Sequence, residues 1–193
     1  MEVNNLMNTK TKKLSTVSMV LCGMFAALVA IGAFIQIPVP YMDYFTLQFF
    51  FVLLAGLILG ADKGAISVGC YVLLGLVGVP IFAAGGGIGY IFRPSFGYLV
   101  GFIVSAYVTG KVCEKLKASY KNYLLACLAG FVVTYAIGIV YKFIILNFYA
   151  HTPATLGVIF LSCFPLDMPG DFVLCLLAAG VGLRMRKSGF YLS

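Results

Sequence analysis

Residues 15–37, STVSMVLCGMFAALVAIGAFIQI, decide the fold class, because no charged side chain interrupts them. A helix needs about 20 apolar residues to cross the hydrocarbon core of a bilayer. The stretch reaches that length and predicts a membrane-spanning helix near Ser15–Ile37. It is longer than the apolar part of a typical signal peptide, and no small-residue cleavage site follows it. We therefore expect it to be retained as the first span.

The composition of the whole chain agrees with this first segment. Of its 193 residues, 62% are hydrophobic and 10% are charged, and the mean hydropathy is +1.06. An ordinary soluble domain carries about 25% charged residues. The net charge of +7 is compatible with nucleic-acid binding. In so apolar a chain, however, basic residues more often mark the cytoplasmic side of membrane helices. We expect a membrane protein in contact with the lipid bilayer, with no nucleic-acid partner.

Charged residues and prolines divide the chain into six predicted spans. They lie near Ser15–Ile37, Tyr44–Gly60, Gly64–Val79, Ser95–Thr109, Tyr123–Tyr149 and Pro169–Leu183. The apolar segment Pro153–Phe164 is too short to span and predicts an interfacial or re-entrant helix. The sequence thus predicts an all-α polytopic protein. We expect one six-helix transmembrane domain at residues 15–188, preceded by a cytoplasmic arm at 1–14 and followed by a tail at 189–193.

The distribution of basic residues predicts the orientation. With the N-terminus inside, eleven of the thirteen Lys and Arg residues lie on the cytoplasmic side. These residues are Lys10, Lys12, Lys13, Lys63, Lys111, Lys115, Lys117, Lys121, Arg184, Arg186 and Lys187. Cytoplasmic loops of membrane proteins carry such an excess of positive charge. The bias favours an even number of spans, with both termini cytoplasmic.

The five charges outside this inner group are candidates for recognition. They are Asp43, Arg93, Lys142, Asp167 and Asp171. Ionisable groups at membrane depth are costly, and they usually pair with each other or face a cavity. Together with nearby aromatic residues and the glycine-rich stretch at 83–89, they predict an outward-facing pocket. Its ligand would be a small polar molecule with an apolar body.

Three of these charged residues have a specific chemistry to offer, and each also has a simpler interpretation. The guanidinium of Arg93 can hold a carboxylate with two hydrogen bonds, or it can extend to the membrane interface. Asp171 can accept hydrogen bonds from ligand N–H groups, or it can stabilise the start of the last helix. Lys142 can meet a ligand, pair with Asp171, or extend towards water.

Four uncharged residues complete the candidate ligand-binding set. Gln48 lies near the start of the second span, where a buried amide needs partners; a hydrogen bond between helices would also satisfy it. Tyr41 and Tyr90 are typical of the aromatic belt at the membrane interface, and they can also stack on a ligand ring. Asn147 lies near Lys142 on the fifth span and is a weaker candidate. No cofactor or metal site is expected, because the chain has a single histidine and no CxxC pair.

The first span also carries small residues at helical spacing. Gly23 lies one turn from Ala27, and Ala26 lies one turn from Ala30. Small residues four apart allow helices to approach closely in lipid. The pattern fits either packing within one bundle or a docking face for a second membrane protein.

Several sequence elements together resemble the BioY family. They are FTLQ at 45–48, LLAGLILG at 53–60, KGA at 63–65, Tyr71, GLVGVPIFA at 75–83 and RPSFGYLVGF at 93–102. The TLQ element and the element around Pro94–Phe102 are specific as a pair, and the resemblance covers about residues 15–188. Members of this family are the biotin-binding S components of energy-coupling factor (ECF) transporters.

The resemblance implies a fold and a set of site residues. The fold would be the six-helix S-component bundle, with biotin bound near its outer face. Asp171 matches the acidic residue at the start of the family's last helix. Many members carry a lysine three residues later, where this chain has Leu174, and Lys142 is the candidate to replace it. Many members also have glycine at the position of Arg93.

The resemblance also implies a function and partners. The chain would capture biotin with high affinity in a prokaryotic plasma membrane. A T component and two ATPase subunits would supply the coupling to ATP, and the T component would dock on Gly23, Ala26, Ala27 and Ala30. One alternative is an S component for another vitamin, such as thiamin or riboflavin. A second alternative, an intramembrane enzyme, has little support without a nucleophile–base pair or metal ligands.

Overall fold

The computed structural model describes residues 15–38, 44–150, 154–163 and 167–189. Within these ranges the chain forms seven α-helices and one two-stranded antiparallel hairpin. The helices are α1 Thr16–Phe34, α2 Gln48–Leu59, α3 Ala61–Val77, α4 Phe96–Lys115, α5 Tyr120–Ile144, α6 Leu156–Cys163 and α7 Asp167–Lys187. The strands are β1 Gln36–Pro38 and β2 Tyr44–Thr46. A 3₁₀ turn at Ile88–Phe92 precedes α4, and a π-helical turn at Ile145–Tyr149 extends α5.

Helix α2 lies at the centre of the bundle. It packs against α1, α3, α4 and α7, and all of its residues except Phe50 and Phe51 are buried. A helix that is apolar on every side is expected to be surrounded by other helices. Gly56 permits the close approach of α4, because a Cβ atom at this position would meet the backbone carbonyl of Ala106 at 2.5 Å. The second predicted span is therefore the core of the molecule.

The structure has a helix at each of the six predicted span positions, but the helices differ in length. In the described part of the chain, α1, α4, α7 and α5 with its π-helical extension are long and apolar enough to cross a membrane. Helices α2 and α3 have only 12 and 17 residues. At 1.5 Å per residue, α2 rises about 18 Å, less than the roughly 30 Å of hydrocarbon. The predicted short helix at 153–164 is α6.

The described chain is mostly helical, and the hairpin is a local departure from the all-α prediction. The sequence predicted helix up to Ile37 and again from Tyr44. In the structure Gln36–Pro38 pairs with Tyr44–Thr46 as antiparallel strands, with Gln36 opposite Thr46. Proline at 38 favours an extended backbone at Ile37, and aromatic residues such as Tyr44 and Phe45 fit a strand well. The chain between the first two predicted spans is thus partly β-structure.

Two helices continue beyond their predicted ends. The prediction ended spans at Thr109 and Leu183, whereas α4 ends at Lys115 and α7 at Lys187. Basic side chains are favourable at a helix C-terminus because they interact with its dipole. Their long stems also allow the charge to reach water. Charge therefore marked the end of the apolar segment, and the helix itself continued past it.

Candidate functional site

A cavity of about 600 Å³ lies at the end of the bundle where α4 and α7 begin. This volume is within the range of about 300–1,000 Å³ that is usual for small-molecule sites. The hairpin, α2, the loop before α4, and helices α4 to α7 all contribute to its wall. The lining residues are Tyr44, Phe45, Thr46, Gln48, Phe49, Ala83, Tyr90, Pro94, Ser95, Tyr98, Leu99, Phe102, Tyr135, Lys142, Leu146, Ala154, Val158, Ile159, Ser162, Asp167 and Asp171.

Two acidic residues, Asp167 and Asp171, line the cavity, and Asp171 is the more buried of the two. It lies near the start of α7 with 9% of its surface exposed. The hydroxyl of Tyr135, on α5, donates a hydrogen bond of 2.8 Å to its Oδ2 atom. A carboxyl group removed from water is costly unless it is hydrogen-bonded. The Tyr135 bond supplies that stabilisation and leaves Asp171 with further acceptor capacity on the cavity side.

Lys142 lines another part of the same cavity. It lies near the end of α5, and its Nζ atom donates a hydrogen bond of 3.4 Å to the Oγ atom of Ser162 on α6. The bond is long, and an ammonium group has three donors. Lys142 therefore retains donor capacity and positive charge for an anionic ligand group in the cavity.

Gln48 belongs to a chain of hydrogen bonds at the top of α2. Its Oε1 atom accepts from the Thr46 hydroxyl at 3.1 Å, and its Nε2 atom donates to the Tyr71 hydroxyl at 2.6 Å. That hydroxyl in turn donates to the backbone carbonyl of Ile81 at 3.2 Å. The chain joins the hairpin, α2, α3 and the loop before α4. It also fixes which end of the amide faces which neighbour.

Tyr90 and Arg93 have different positions relative to the cavity. Tyr90 is buried and lines the wall, with its ring centroid 4.6 Å from that of Phe82. Arg93 is exposed and lies outside the lining residues, with its guanidinium carbon 5.3 Å from the Tyr90 ring centroid. Its backbone N–H closes the 3₁₀ turn on the Tyr90 carbonyl. The structure thus brings Tyr90, but not Arg93, to the cavity.

Asn147 is occupied by backbone contacts. Its Nδ2 atom donates to the carbonyls of Phe143 and Ala154, and its Oδ1 atom accepts from the Ala154 N–H. These bonds hold the segment before α6 against the end of α5. Asn147 is not among the cavity-lining residues. Its position favours support of the α6 wall over direct contact with a ligand. Tyr41, the remaining candidate, lies outside the described residues.

The sequence prediction omitted Tyr135, Tyr98 and Ser162, which all line the cavity. One available signal was spacing, because Tyr135 and Lys142 are seven residues apart and so share a helix face. Ser162 carried no comparable signal, since its place depends on how α6 packs across the cavity.

Gly170 allows the hairpin to close over the start of α7. A Cβ atom at this position would meet the ring of Phe45 at 2.5 Å. The Phe45 ring therefore lies directly on the α7 backbone at Gly170, the residue that precedes Asp171. Phe45 lines the cavity, so this glycine couples the shape of the cavity to the position of the last helix.

The small residues of α1 divide into two groups. Gly23 and Ala27 are exposed, and nothing lies within 4 Å of a Cβ atom added at Gly23. Ala26 is buried in the core, and Ala30 is half-buried against it. Of these four residues, Gly23 and Ala27 are therefore the two on the exposed side of α1.

The comparisons with known proteins agree with this geometry. The family model for the BioY family matches residues 7–189. The chain belongs to the BioY family. A probable biotin transporter BioY of Lysinibacillus sphaericus is 40% identical over 177 residues, covering 91% of this chain and 90% of that protein. The biotin transporter BioY of Thermotoga maritima is 39% identical over 169 residues, covering 86% and 93%.

A solved structure gives the same assignment at the level of the fold. It is a crystal structure of the S-component for biotin from an ECF-type ABC transporter. The two chains superpose with a TM-score of 0.78 at 25% identity, over 89% of this chain and 91% of the other. The bundle described above is therefore an S-component fold, and the expected family is confirmed.

Proposed function

We propose that this chain is the biotin-binding S component of an ECF-type transporter. The observation that carries the proposal is the cavity of about 600 Å³ in an S-component fold, lined by both Asp171 and Lys142. Relatives that match most of the chain are biotin transporters by name. A pocket with two acidic residues, Asp167 and Asp171, one base and mostly apolar walls suits a small molecule with polar ends.

The chemistry of biotin matches the groups of the cavity. The valerate carboxylate is an anion that suits the ammonium group of Lys142, and the ureido N–H groups are donors that suit Asp171. Gln48 is a candidate donor to the ureido carbonyl. The fused rings suit Tyr90 and the other aromatic walls. Arg93 would contribute from outside this set, at the rim beside Tyr90.

We propose that the cavity faces the outside of the cell. Basic residues of α4 and α7 lie at the ends of these helices that are opposite to the cavity. Those ends would be cytoplasmic by the positive-inside tendency. Both termini of a six-span unit at residues 15–188 would then be cytoplasmic, in a multi-pass protein of the prokaryotic plasma membrane.

We propose that transport depends on partner subunits. A T component would dock on the open face of α1 at Gly23 and Ala27, where small residues permit close helix packing. Ala26 and Ala30 would support that face from the core side. Two ATPase subunits would hydrolyse ATP, so the chain itself would not be an enzyme.

A panel of vitamins tests the proposal against its nearest alternative, an S component for thiamin or riboflavin. The purified full chain is heated in detergent with biotin, thiamin or riboflavin, and the unfolding temperature is measured. Ligand that binds only the native state raises that temperature. A rise with biotin alone supports the proposal. A rise with thiamin or riboflavin and none with biotin contradicts it.

A further inference from the structure

Tyr135 and Asp171 form a polar pair inside the cavity wall. Both residues line the cavity, yet only 5% of Tyr135 and 9% of Asp171 are exposed. The phenol donates a hydrogen bond of 2.8 Å to one carboxyl oxygen of Asp171. The bond joins α5 to α7 across 36 residues of sequence. One oxygen of the Asp171 carboxyl group is thus held by a side chain of another helix.

The Tyr135 ring is held in place by two aromatic neighbours. Its centroid lies 4.7 Å from that of Phe131 and 5.8 Å from that of Tyr98, with Tyr98 edge-on. Such packing fixes the position of the hydroxyl to within a narrow range. The terminal torsion of an aspartate is broad and allows the carboxyl group to turn freely. A fixed donor on one oxygen is what would hold that group in a single orientation.

We propose that Tyr135 is a positioning residue for ligand recognition. By holding Oδ2 of Asp171, it directs the remaining acceptor capacity of the carboxyl group to an N–H donor of the ligand. Preorganised groups bind more tightly because less ordering is needed on binding. The inference rests on the proposed function, in which that donor is a ureido N–H of biotin.

A purely structural role for the hydrogen bond predicts a different outcome. If Tyr135 only stabilises a buried carboxyl group, its loss lowers the unfolding temperature and affects all ligands equally. If Tyr135 positions Asp171, its loss weakens the binding of those ligands that donate an N–H to Asp171. The loss of affinity then also requires an aspartate at position 171. A double-mutant cycle separates these cases.

The experiment is a calorimetric titration of biotin into the purified full chain. The variants are Tyr135→Phe, Asp171→Asn and the double variant, and Tyr107→Phe is the matched control. Tyr107 lies on α4, is 40% exposed and does not line the cavity. Tyr135→Phe is expected to weaken biotin binding about tenfold, as for one lost buried hydrogen bond. In the Asp171→Asn background the same change is expected to cost less than about twofold.

A biotin methylated on its ureido nitrogens supplies the second readout. This probe lacks the N–H donors, so Tyr135→Phe is expected to change its affinity less than about twofold. Tyr135→Met, which refills the space with a flexible apolar side chain, provides a second test if the phenylalanine variant does not fold. It is expected to show the same selective loss.

The outcomes distinguish the inference from the function on which it rests. Equal losses with aspartate and asparagine at 171, equal losses for biotin and its methylated form, or no loss at all overturn the positioning role. In those cases biotin still binds the wild type, and the proposed function stands. Failure of the wild-type chain to bind biotin overturns both.

Discussion

The side-chain amide of Gln48 donates a hydrogen bond of 2.6 Å to the hydroxyl of Tyr71, which is fully buried. The same hydroxyl donates to the Ile81 carbonyl, so one phenol is hydrogen-bonded both to α2 and to the loop before α4. Tyr71→Phe would leave the Gln48 N–H and the Ile81 carbonyl without this partner. An unsatisfied buried polar group costs about 1–3 kcal/mol.

We therefore expect Tyr71→Phe to lower the unfolding temperature of the ligand-free protein and to weaken biotin binding. Thermal unfolding in detergent and a biotin titration measure the two effects. Tyr107→Phe, which removes an exposed phenol on α4, serves as control and is expected to change neither. An unaltered unfolding temperature in Tyr71→Phe would show that the shared hydroxyl does not support the loop.

Lys142 gives a prediction that depends on the charge of the ligand. Lys142→Met keeps most of the apolar stem but removes the ammonium group. Loss of one partner from a buried charge pair costs about 2 kcal/mol or more, equivalent to at least about thirtyfold in affinity. We expect a loss of that size for biotin and little loss for biotin methyl ester, which has no carboxylate.

Titrations of both ligands into both proteins check this assignment, and Lys142→Arg is the charge-preserving control. It is expected to bind biotin better than Lys142→Met does. Equal losses of biotin and its methyl ester would mean that Lys142 shapes the cavity without contacting the carboxylate.

Gly170 is expected to be intolerant of even one methyl group. Gly170→Ala would push the Phe45 ring away from α7 and so displace the hairpin from the cavity. Overpacking of this kind costs about 1–3 kcal/mol. We expect a lower unfolding temperature and weaker biotin binding.

The matched control for Gly170 is Gly69→Ala on α3, because nothing lies within 4 Å of an added Cβ atom there. Alanine is favoured over glycine within a helix by up to about 1 kcal/mol. The control is therefore expected to be neutral or slightly stabilising. If the two variants behave alike, the contact between Phe45 and Gly170 does not determine the cavity.

The exposed face of α1 predicts that a substitution there blocks biotin transport and leaves biotin binding intact. Ala27→Trp adds a large side chain next to Gly23 on the exposed side of α1. It is expected to abolish ATP-dependent biotin uptake by cells that contain the partner subunits. Biotin affinity of the purified chain is expected to stay within about twofold of wild type, since this face lies away from the cavity-lining residues.

Val132→Trp on α5 is the control for this docking prediction, because Val132 is 63% exposed on another helix. Uptake should survive that change. Normal uptake with tryptophan at 27 would exclude the α1 face as the docking surface. Loss of uptake together with loss of binding would point instead to damage to the bundle.

The sequence was sufficient for the features that depend on local composition. The apolar segments indicated the positions of six helices, four of which are long enough to cross a membrane in the described part of the chain. The few charged residues outside the predicted cytoplasmic group indicated Asp171 and Lys142, which both line the cavity. Features that depend on tertiary packing were missed. The hairpin requires Gln36 to pair with Thr46, ten residues later, and the Tyr135 bond requires α5 to pack on α7.

The position of Arg93 depends on the backbone as well as on charge. Arg93 is one of two basic residues outside the predicted cytoplasmic group, and this favoured a place in the pocket. It instead follows the 3₁₀ turn before α4, with its guanidinium carbon 5.3 Å from the Tyr90 ring centroid, and it is exposed. The orientation of a side chain at a turn depends on backbone geometry that composition does not encode. Arg93→Ala is accordingly expected to weaken biotin less than Asp171→Ala does.

The most direct test of the account is an equilibrium titration of biotin into the purified wild-type chain and its Asp171→Ala variant. We predict saturable binding by the wild type with a dissociation constant below about 1 μM, which corresponds to a binding free energy stronger than about −8 kcal/mol. In Asp171→Ala that affinity should fall by at least about tenfold. Absent or weaker wild-type binding, or an Asp171→Ala variant that binds biotin as tightly as wild type, would contradict it.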